Sequence, residues 1–135
     1  MYLFDTDVIT NLLKKLPSPT LIRRLENISQ NDQFISVVTV AEIIYGAEKS
    51  HRPEYHLRNL EEILLPSVSV LDFDIRAAYI AGNIRAYLEK AGMLIAWADI
   101  QIAAIAMTHD MILVTGKLKH FSRISGLKVE NWLMD

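Results

Sequence analysis

The chain has 135 residues, 51% hydrophobic and 22% charged, a balance typical of a globular protein that excludes disorder, collagen and coiled coil. It contains no cysteine, which removes disulfide frameworks, thiol nucleophiles and cysteine-based metal sites. The net charge of −2 gives no overall electrostatic case for binding nucleic acid, so such binding would need a local patch. The length predicts a single domain over residues 1–135.

The sequence has no segment that predicts export or insertion into a membrane. Its N-terminal residues lack both a basic region and a long apolar run, so we expect no signal peptide. The longest mostly apolar segment, 93–107, is interrupted by Asp99 and Gln101 and is too short to span a bilayer. We therefore expect a soluble, cytoplasmic protein.

Hydrophobic periodicity predicts strands that alternate with helices along the chain. The predicted strands are 2–4, 34–38, 67–71, 111–114 and 127–129. The predicted helices are 8–13, 21–28, 40–47, 53–64, 75–91 and 99–107. We expect Thr39 to cap the third helix, with Glu42 at the capping-box spacing, and Asp7 to cap the first helix. Asp74 is the expected cap of the long fifth helix, which Gly92 ends.

This alternation, without a two-residue hairpin turn, predicts an α/β fold with a mainly parallel sheet flanked by helices. Ligands of such sheets bind at the carboxyl ends of the strands. Asp5 follows the first predicted strand, Glu42 and Thr39 follow the second, Thr115 follows the fourth, and Asp99 opens a helix just before it. Each acid could merely cap a helix or complement its dipole, so the functional argument depends on all three together.

Carboxylates that meet in one crevice repel each other, so they usually share a proton or a cation. Mg²⁺ prefers oxygen ligands and keeps several of its water molecules. Two or three carboxylates with a metal-bound water suit the hydrolysis of a phosphodiester bond. The residues therefore favour a metal-dependent hydrolase.

Several motifs, in the same order along the chain, resemble those of PIN-domain ribonucleases. They are LFDTDV at 3–8, SVVTVAEIIYG at 36–46, ADIQIAA at 98–104, LVTG at 113–116 and FSRISGL at 121–127. The last stretch, continued through Trp132, is similar to the toxins of VapBC toxin–antitoxin pairs. The resemblance extends over essentially the whole chain.

The resemblance implies a PIN-like three-layer sandwich and an endoribonuclease that uses Mg²⁺ or Mn²⁺. It also implies RNA as substrate, a small antitoxin that covers the active cleft, and a homodimer. By position, Asp5 and Asp99 match the metal-binding acids of the family, and Glu42 matches the acid that helps to hold the metal or its water. Thr6 and Thr115 match the small hydroxyl residues that border the site.

Two residues depart from the family pattern. Trp97 stands where many relatives have Asp, and Lys117 stands where many have Asp or Asn. Lys117 would bring a cation to the acids, where it could compete with a second metal ion or bind an RNA phosphate. His120 is a further candidate for RNA contact, in the loop expected after the fourth strand. These departures support an alternative, a PIN-like binding module with weak or lost nuclease activity.

A second alternative is a phosphatase of the haloacid-dehalogenase type. Residues 4–8 also resemble the start of such enzymes, with Asp5 as the nucleophile and Asp7 as the acid. That reaction needs a later Lys and a further acidic pair near a strand end. Lys117 could serve as the Lys, but no acidic pair follows it in this short chain.

Overall fold

A computed structural model describes residues 1–134, so Asp135, the end of the predicted domain, lies outside the described residues. Five strands form one sheet in the order β3-β2-β1-β4-β5. They are β1 Tyr2–Phe4, β2 Gln33–Ser36, β3 Ser69–Leu71, β4 Ile112–Val114 and β5 Val129–Glu130. Every pairing is parallel, and Leu3 lies opposite Phe34 on one side and Leu113 on the other. The predicted mainly parallel α/β fold is confirmed, with a sheet that is parallel throughout.

Helices connect consecutive strands. They are α1 Thr6–Leu12, α2 Pro19–Glu26, α3 Val37–Lys49, α4 Pro53–Asn59, α5 Ile75–Lys90, α6 Trp97–Thr108 and α7 Leu118–Phe121. The helix expected over 53–64 is α4 followed by a π-helical turn, Leu60–Leu64. Short 3₁₀ turns occupy Gln30–Asp32 and Leu65–Ser67. No helix within residues 1–134 is both long enough and apolar enough to cross a membrane.

Two apolar cores lie on opposite faces of the sheet because successive side chains of a strand alternate between faces. Leu3 and Leu113 pack with buried residues of α5 and α6, among them Leu88. Phe4 and Val114 pack with a second cluster, which includes residues of α1, α2 and the C-terminal segment. A sheet covered on both faces by helices is the predicted PIN-like three-layer sandwich.

The start of α3 differs from the prediction. Ser36, and not Thr39, caps the helix: its Oγ accepts a hydrogen bond from the Thr39 N–H at 3.0 Å. The β-branched residues Val37 and Val38 favour strand locally, but β2 has its last partner at Ser36, opposite Leu71. The capping box expected between Thr39 and Glu42 is therefore wrong, and both residues lie inside the helix.

Other boundaries also shift. Asp5, rather than Asp7, caps α1, and α6 begins at Trp97, so Asp99 lies within its first turn. Strands β3 and β5 are shorter than expected, and β5 includes Glu130. His120 lies on the short helix α7 instead of in a loop. Asp74 caps α5 as predicted, with Gly92 at a φ of 70° just beyond the helix end.

Candidate active site

The candidate site lies where the strand order reverses. The chain adds β2 and β3 on one side of β1 and then places β4 on the other side, next to β1. A crevice at the carboxyl ends of the strands is expected at such a reversal. Asp5 leaves β1 and Thr115 leaves β4 at this point, and the Asp5 N–H donates to the Val114 carbonyl at 2.9 Å.

Asp5 is a buried carboxylate, with 1% of its surface exposed. Its Oδ1 accepts from the Thr6 N–H and its Oδ2 accepts from the Thr115 hydroxyl, both at 2.8 Å. Burial, and then the negative charge of Asp7, raise the pKa of Asp5 to about 6, against the opposing effects of these hydrogen bonds and of Lys117. Asp5 therefore carries a charge at an energetic cost that a nearby cation would reduce.

A chain of hydroxyl groups connects the end of β2 to Glu42. The Ser36 hydroxyl donates to Thr39 Oγ1 at 3.3 Å, and Thr39 Oγ1 lies 3.0 Å from Thr6 Oγ1. The Thr6 hydroxyl in turn donates to Glu42 Oε1 at 2.6 Å. Ser36 and Thr39 are buried, whereas Glu42 is exposed. The hydroxyl groups therefore connect a surface carboxylate to the interior of the protein.

Asp99 and Lys117 form an ion pair at the same edge. Lys117 Nζ lies 3.3 Å from Asp99 Oδ1, and the Lys117 N–H donates to Thr115 Oγ1 at 3.0 Å. Burial lowers the pKa of Lys117, but the charges of Asp99, Asp5 and Asp7 together with the Asp99 hydrogen bond outweigh it and raise the pKa above its ordinary value. All three aspartates therefore attract the Lys117 ammonium group.

Asp7 holds the loop that follows β4. Its Oδ2 accepts from the Gly116 N–H at 3.0 Å, while its buried Oδ1 has no hydrogen-bond partner among the described residues. A Cβ atom at position 116 would lie 2.7 Å from Asp7 Oδ2 and 3.0 Å from Leu133 Cδ1, so the close approach requires glycine. The carboxylate and the loop fit only because Gly116 has no side chain.

His120 and Trp97 have surroundings of their own. His120 is exposed in the last turn of α7. Trp97 is 40% exposed, with Arg85 above its ring at 5.2 Å and Phe73 against its edge. Lys128 forms an exposed ion pair with Asp110 at 3.0 Å.

The donor atoms at this edge suit a hard divalent cation. Asp5, Asp7, Glu42 and Asp99 offer only oxygen, and Asp7 Oδ1 is a buried oxygen without a partner. Within residues 1–134, no three acidic or histidine side chains are placed around one point that could hold an ion. The donor chemistry therefore fits such an ion, but the carboxylates would have to move closer together to bind it.

Two features of the site had not been expected from the sequence. The Ser36 cap has a sequence signal, because an N-cap side chain typically accepts from the N–H three residues further on, here Thr39. The valines between them favoured a strand instead. The bond from Gly116 to Asp7 has no such signal, because its two residues are 109 positions apart.

Comparisons with known proteins agree with this geometry. The PIN domain model matches residues 2–127. The chain is 39% identical to Ribonuclease VapC2 of Haemophilus influenzae over 132 residues, which cover 98% of each protein. It is 37% identical over 131 residues to the tRNA(fMet)-specific endonuclease VapC of Shigella flexneri, covering 97% of each.

Among solved structures, VapBC2 from Rickettsia felis, bound to a DNA fragment from its promoter, superimposes with a TM-score of 0.89. The sequence identity is 32%, and the superposition covers 97% of this chain and 98% of the other. The chain therefore belongs to the PIN-domain family and, within it, to the VapC ribonucleases. The resemblance read from the motifs is confirmed.

Proposed function

We propose that this chain is a metal-dependent endoribonuclease that hydrolyses RNA phosphodiester bonds and acts as the toxin of a type II toxin–antitoxin pair. One observation carries the proposal: a buried aspartate, Asp5, lies at the reversal of strand order, on the same sheet edge as Asp99 and Glu42. The printed names of the relatives, ribonuclease and endonuclease, support the same reaction.

In this proposal Asp5, Glu42 and Asp99 hold Mg²⁺ or Mn²⁺. Such an ion, when bound, lowers the pKa of a coordinated water and offsets the charge that develops on the phosphate. Thr115 fixes the orientation of the Asp5 carboxylate by its hydrogen bond, and Thr6 does the same for Glu42. Lys117 supplies a further positive charge beside the phosphate.

The test is cleavage of RNA by the purified protein in Mg²⁺, in Mn²⁺ and in EDTA. Initiator tRNA is the first substrate to try, because the Shigella flexneri relative is named for it, and a mixed RNA pool follows. We expect cleavage that requires the metal and falls at least about a hundredfold in Asp5→Asn, since a neutral amide replaces a ligand carboxylate.

Asp110→Asn is the matched control for this experiment. Asp110 lies in an exposed ion pair away from the site, with a positive φ of 52° that Asn tolerates, so cleavage should remain at the level of the unmodified protein. Equal activity in Asp5→Asn and the unmodified protein would contradict the proposal and favour the binding module. Family membership favours the nuclease over the phosphatase alternative, which predicts turnover of small phosphomonoesters.

The proposed partner is a small antitoxin. A groove of about 330 Å³ runs beside the site between α1, α3 and α4, with Thr6 and Glu42 on its border and Leu13 and Ile43 among its apolar lining. An apolar segment bound there would reach the site. Co-expression with a small candidate protein encoded next to this gene should yield a stable complex and suppress RNA cleavage. Two proteins that purify separately, with cleavage unchanged, would contradict the assignment.

We also propose that the protein acts in the cytoplasm as a homodimer. Its long helix α5 exposes the large apolar side chains of Ile75, Tyr79 and Tyr87, and a group of such side chains on one surface is typical of an interaction site. Light scattering after size-exclusion chromatography should give about twice the mass of one chain, and the mass of a single chain would contradict the dimer.

A further inference from the structure

Two lysine–aspartate ion pairs of this chain differ in their surroundings. Lys128 and Asp110 are 61% and 85% exposed in their side chains, at 3.0 Å. Lys117 and Asp99 are 40% and 9% exposed, at 3.3 Å. An ion pair between exposed groups contributes little to stability, because water solvates both charges anyway. A nearly buried carboxylate has lost most of its water, so its partner matters far more.

Lys117 is the positive charge that compensates Asp99. Its ammonium group contacts Asp99 directly and is also attracted by Asp5 and Asp7. One side chain therefore brings a compensating positive charge to three carboxylates at the end of the sheet. A divalent cation in the proposed site would do the same.

The ammonium group and a divalent cation compete for the same oxygen. Mg²⁺ binds its ligands at roughly 2.0–2.1 Å and strongly repels a second cation at the same carboxylate. Lys117 Nζ lies on Asp99 Oδ1, and no three acidic or histidine side chains among residues 1–134 are grouped to hold an ion. In this structure the lysine therefore occupies the position at Asp99 that a metal ion would need.

The Lys117 side chain can leave while its backbone stays in place. The Lys117 N–H is bonded to Thr115 Oγ1, so the main chain at this point is tied to the partner of Asp5. The four-carbon side chain borders an open groove of about 470 Å³, lined also by Asp7 and Glu42. A displaced ammonium group would find room and solvent there.

We infer that Lys117 is a built-in counter-ion of the site, which occupies Asp99 until a Mg²⁺ or Mn²⁺ ion displaces it. Lys117 therefore weakens the affinity of the site for divalent ions and stabilises the fold in their absence. This inference rests on the proposed function only in taking Asp99 as a metal ligand. It concerns the binding equilibrium and makes no claim about the rate of RNA cleavage.

The test compares the binding of Mn²⁺ to the full chain and to three variants by titration calorimetry, without RNA. We expect Lys117→Met to bind Mn²⁺ about tenfold more tightly, because a neutral side chain of similar length no longer competes. Lys117→Arg should bind no more tightly than the unmodified chain. Lys128→Met is the matched control, since it removes a lysine from an exposed aspartate pair, and its affinity should be unchanged.

Thermal unfolding supplies a second measurement. In EDTA, Lys117→Met should melt below Lys128→Met, because Asp99 loses its partner, and Mn²⁺ should raise its melting temperature by more than it raises that of the unmodified chain. Equal or weaker Mn²⁺ affinity in Lys117→Met, or no Mn²⁺ binding by any variant, would overturn the inference. If Lys117→Met binds Mn²⁺ more tightly as expected but the unmodified protein does not cleave RNA, the result would count against the proposed function and not against this inference.

Discussion

Asp5 is the residue at which burial and charge act most directly on stability. Its pKa of about 6 in the folded chain exceeds the ordinary value of 3.8, so the folded state binds a proton that the unfolded state releases between these values. The free energy of unfolding therefore falls as the pH rises from about 4 to about 6, and this loss persists at higher pH.

Asp5→Asn should remove this pH-dependent fall in the free energy of unfolding, because the amide does not titrate. In EDTA at pH 7.5, we expect the variant to be more stable than the unmodified chain by roughly 1–3 kcal/mol, because each pKa unit corresponds to about 1.4 kcal/mol. At pH 4 the difference should nearly vanish, since Asp5 is then protonated and Asn resembles it in shape. Urea unfolding at the two pH values measures the difference.

Asp110→Asn again provides the comparison, because Asp110 is exposed and should not alter the pH dependence. A variant Asp5→Asn that is less stable than the unmodified chain at pH 7.5 would contradict this account. It would mean that the hydrogen bonds from Thr6 and Thr115 stabilise the charged carboxylate by more than burial destabilises it.

At the scale of elements, the start of α3 determines how Glu42 is held. Ser36→Ala removes the cap of this helix and the hydroxyl that supports Thr39. We expect a loss of about 1–2 kcal/mol in the free energy of unfolding, measured by urea, because the Thr39 N–H is left buried without its acceptor. RNA cleavage should also fall, since the hydroxyl chain below Glu42 is broken.

Asp74→Ala is the companion variant, because Asp74 caps α5 with a 2.9 Å bond to the Ala77 N–H, on a helix that carries none of the proposed metal ligands. It should lose a similar amount of stability and keep its cleavage activity. Equal cleavage in both variants would show that the hydroxyl chain does not position Glu42.

The order of elements and the edge that gathers the acids could be predicted from the sequence, because both follow from apolar periodicity and from the geometry of parallel sheets. The cap at Ser36 could not, since Val37 and Val38 favour strand until the pairing of β2 with β3 ends. The sequence predicted that Lys117 would bring a cation to the acids, but its bond to Asp99 in particular depends on how α6 packs near β4, which local pattern does not encode. Both the Ser36 cap and the Lys117–Asp99 bond depend on tertiary contacts.

At the scale of the whole molecule, Trp132 joins the end of the chain to its beginning. It is 1% exposed, packs against the rings of Tyr2 and Phe4, lies beneath Arg24, and donates from Nε1 to Glu130 Oε1 at 2.8 Å. Trp132→Ala should lower the free energy of unfolding by about 3–5 kcal/mol, because a large cavity opens beside β1.

Trp97→Ala is the natural comparison, since Trp97 is the other tryptophan of the chain and is 40% exposed. We expect it to lose far less stability, at most about 1 kcal/mol, in the same urea titration. Similar losses in the two variants would contradict the assignment of Trp132 as the anchor of the C-terminal segment.

The central position of β1 in the sheet also bears on protein synthesis. The first strand is made long before its neighbour β4 and the site residues Thr115 and Lys117, which lie more than a hundred residues further along the chain. Because domains fold as units and this one needs β4 beside β1, the acids cannot assemble on a nascent chain before β4 has left the ribosome. A site built in this order forms only late in synthesis, after β4 and Lys117 have been made.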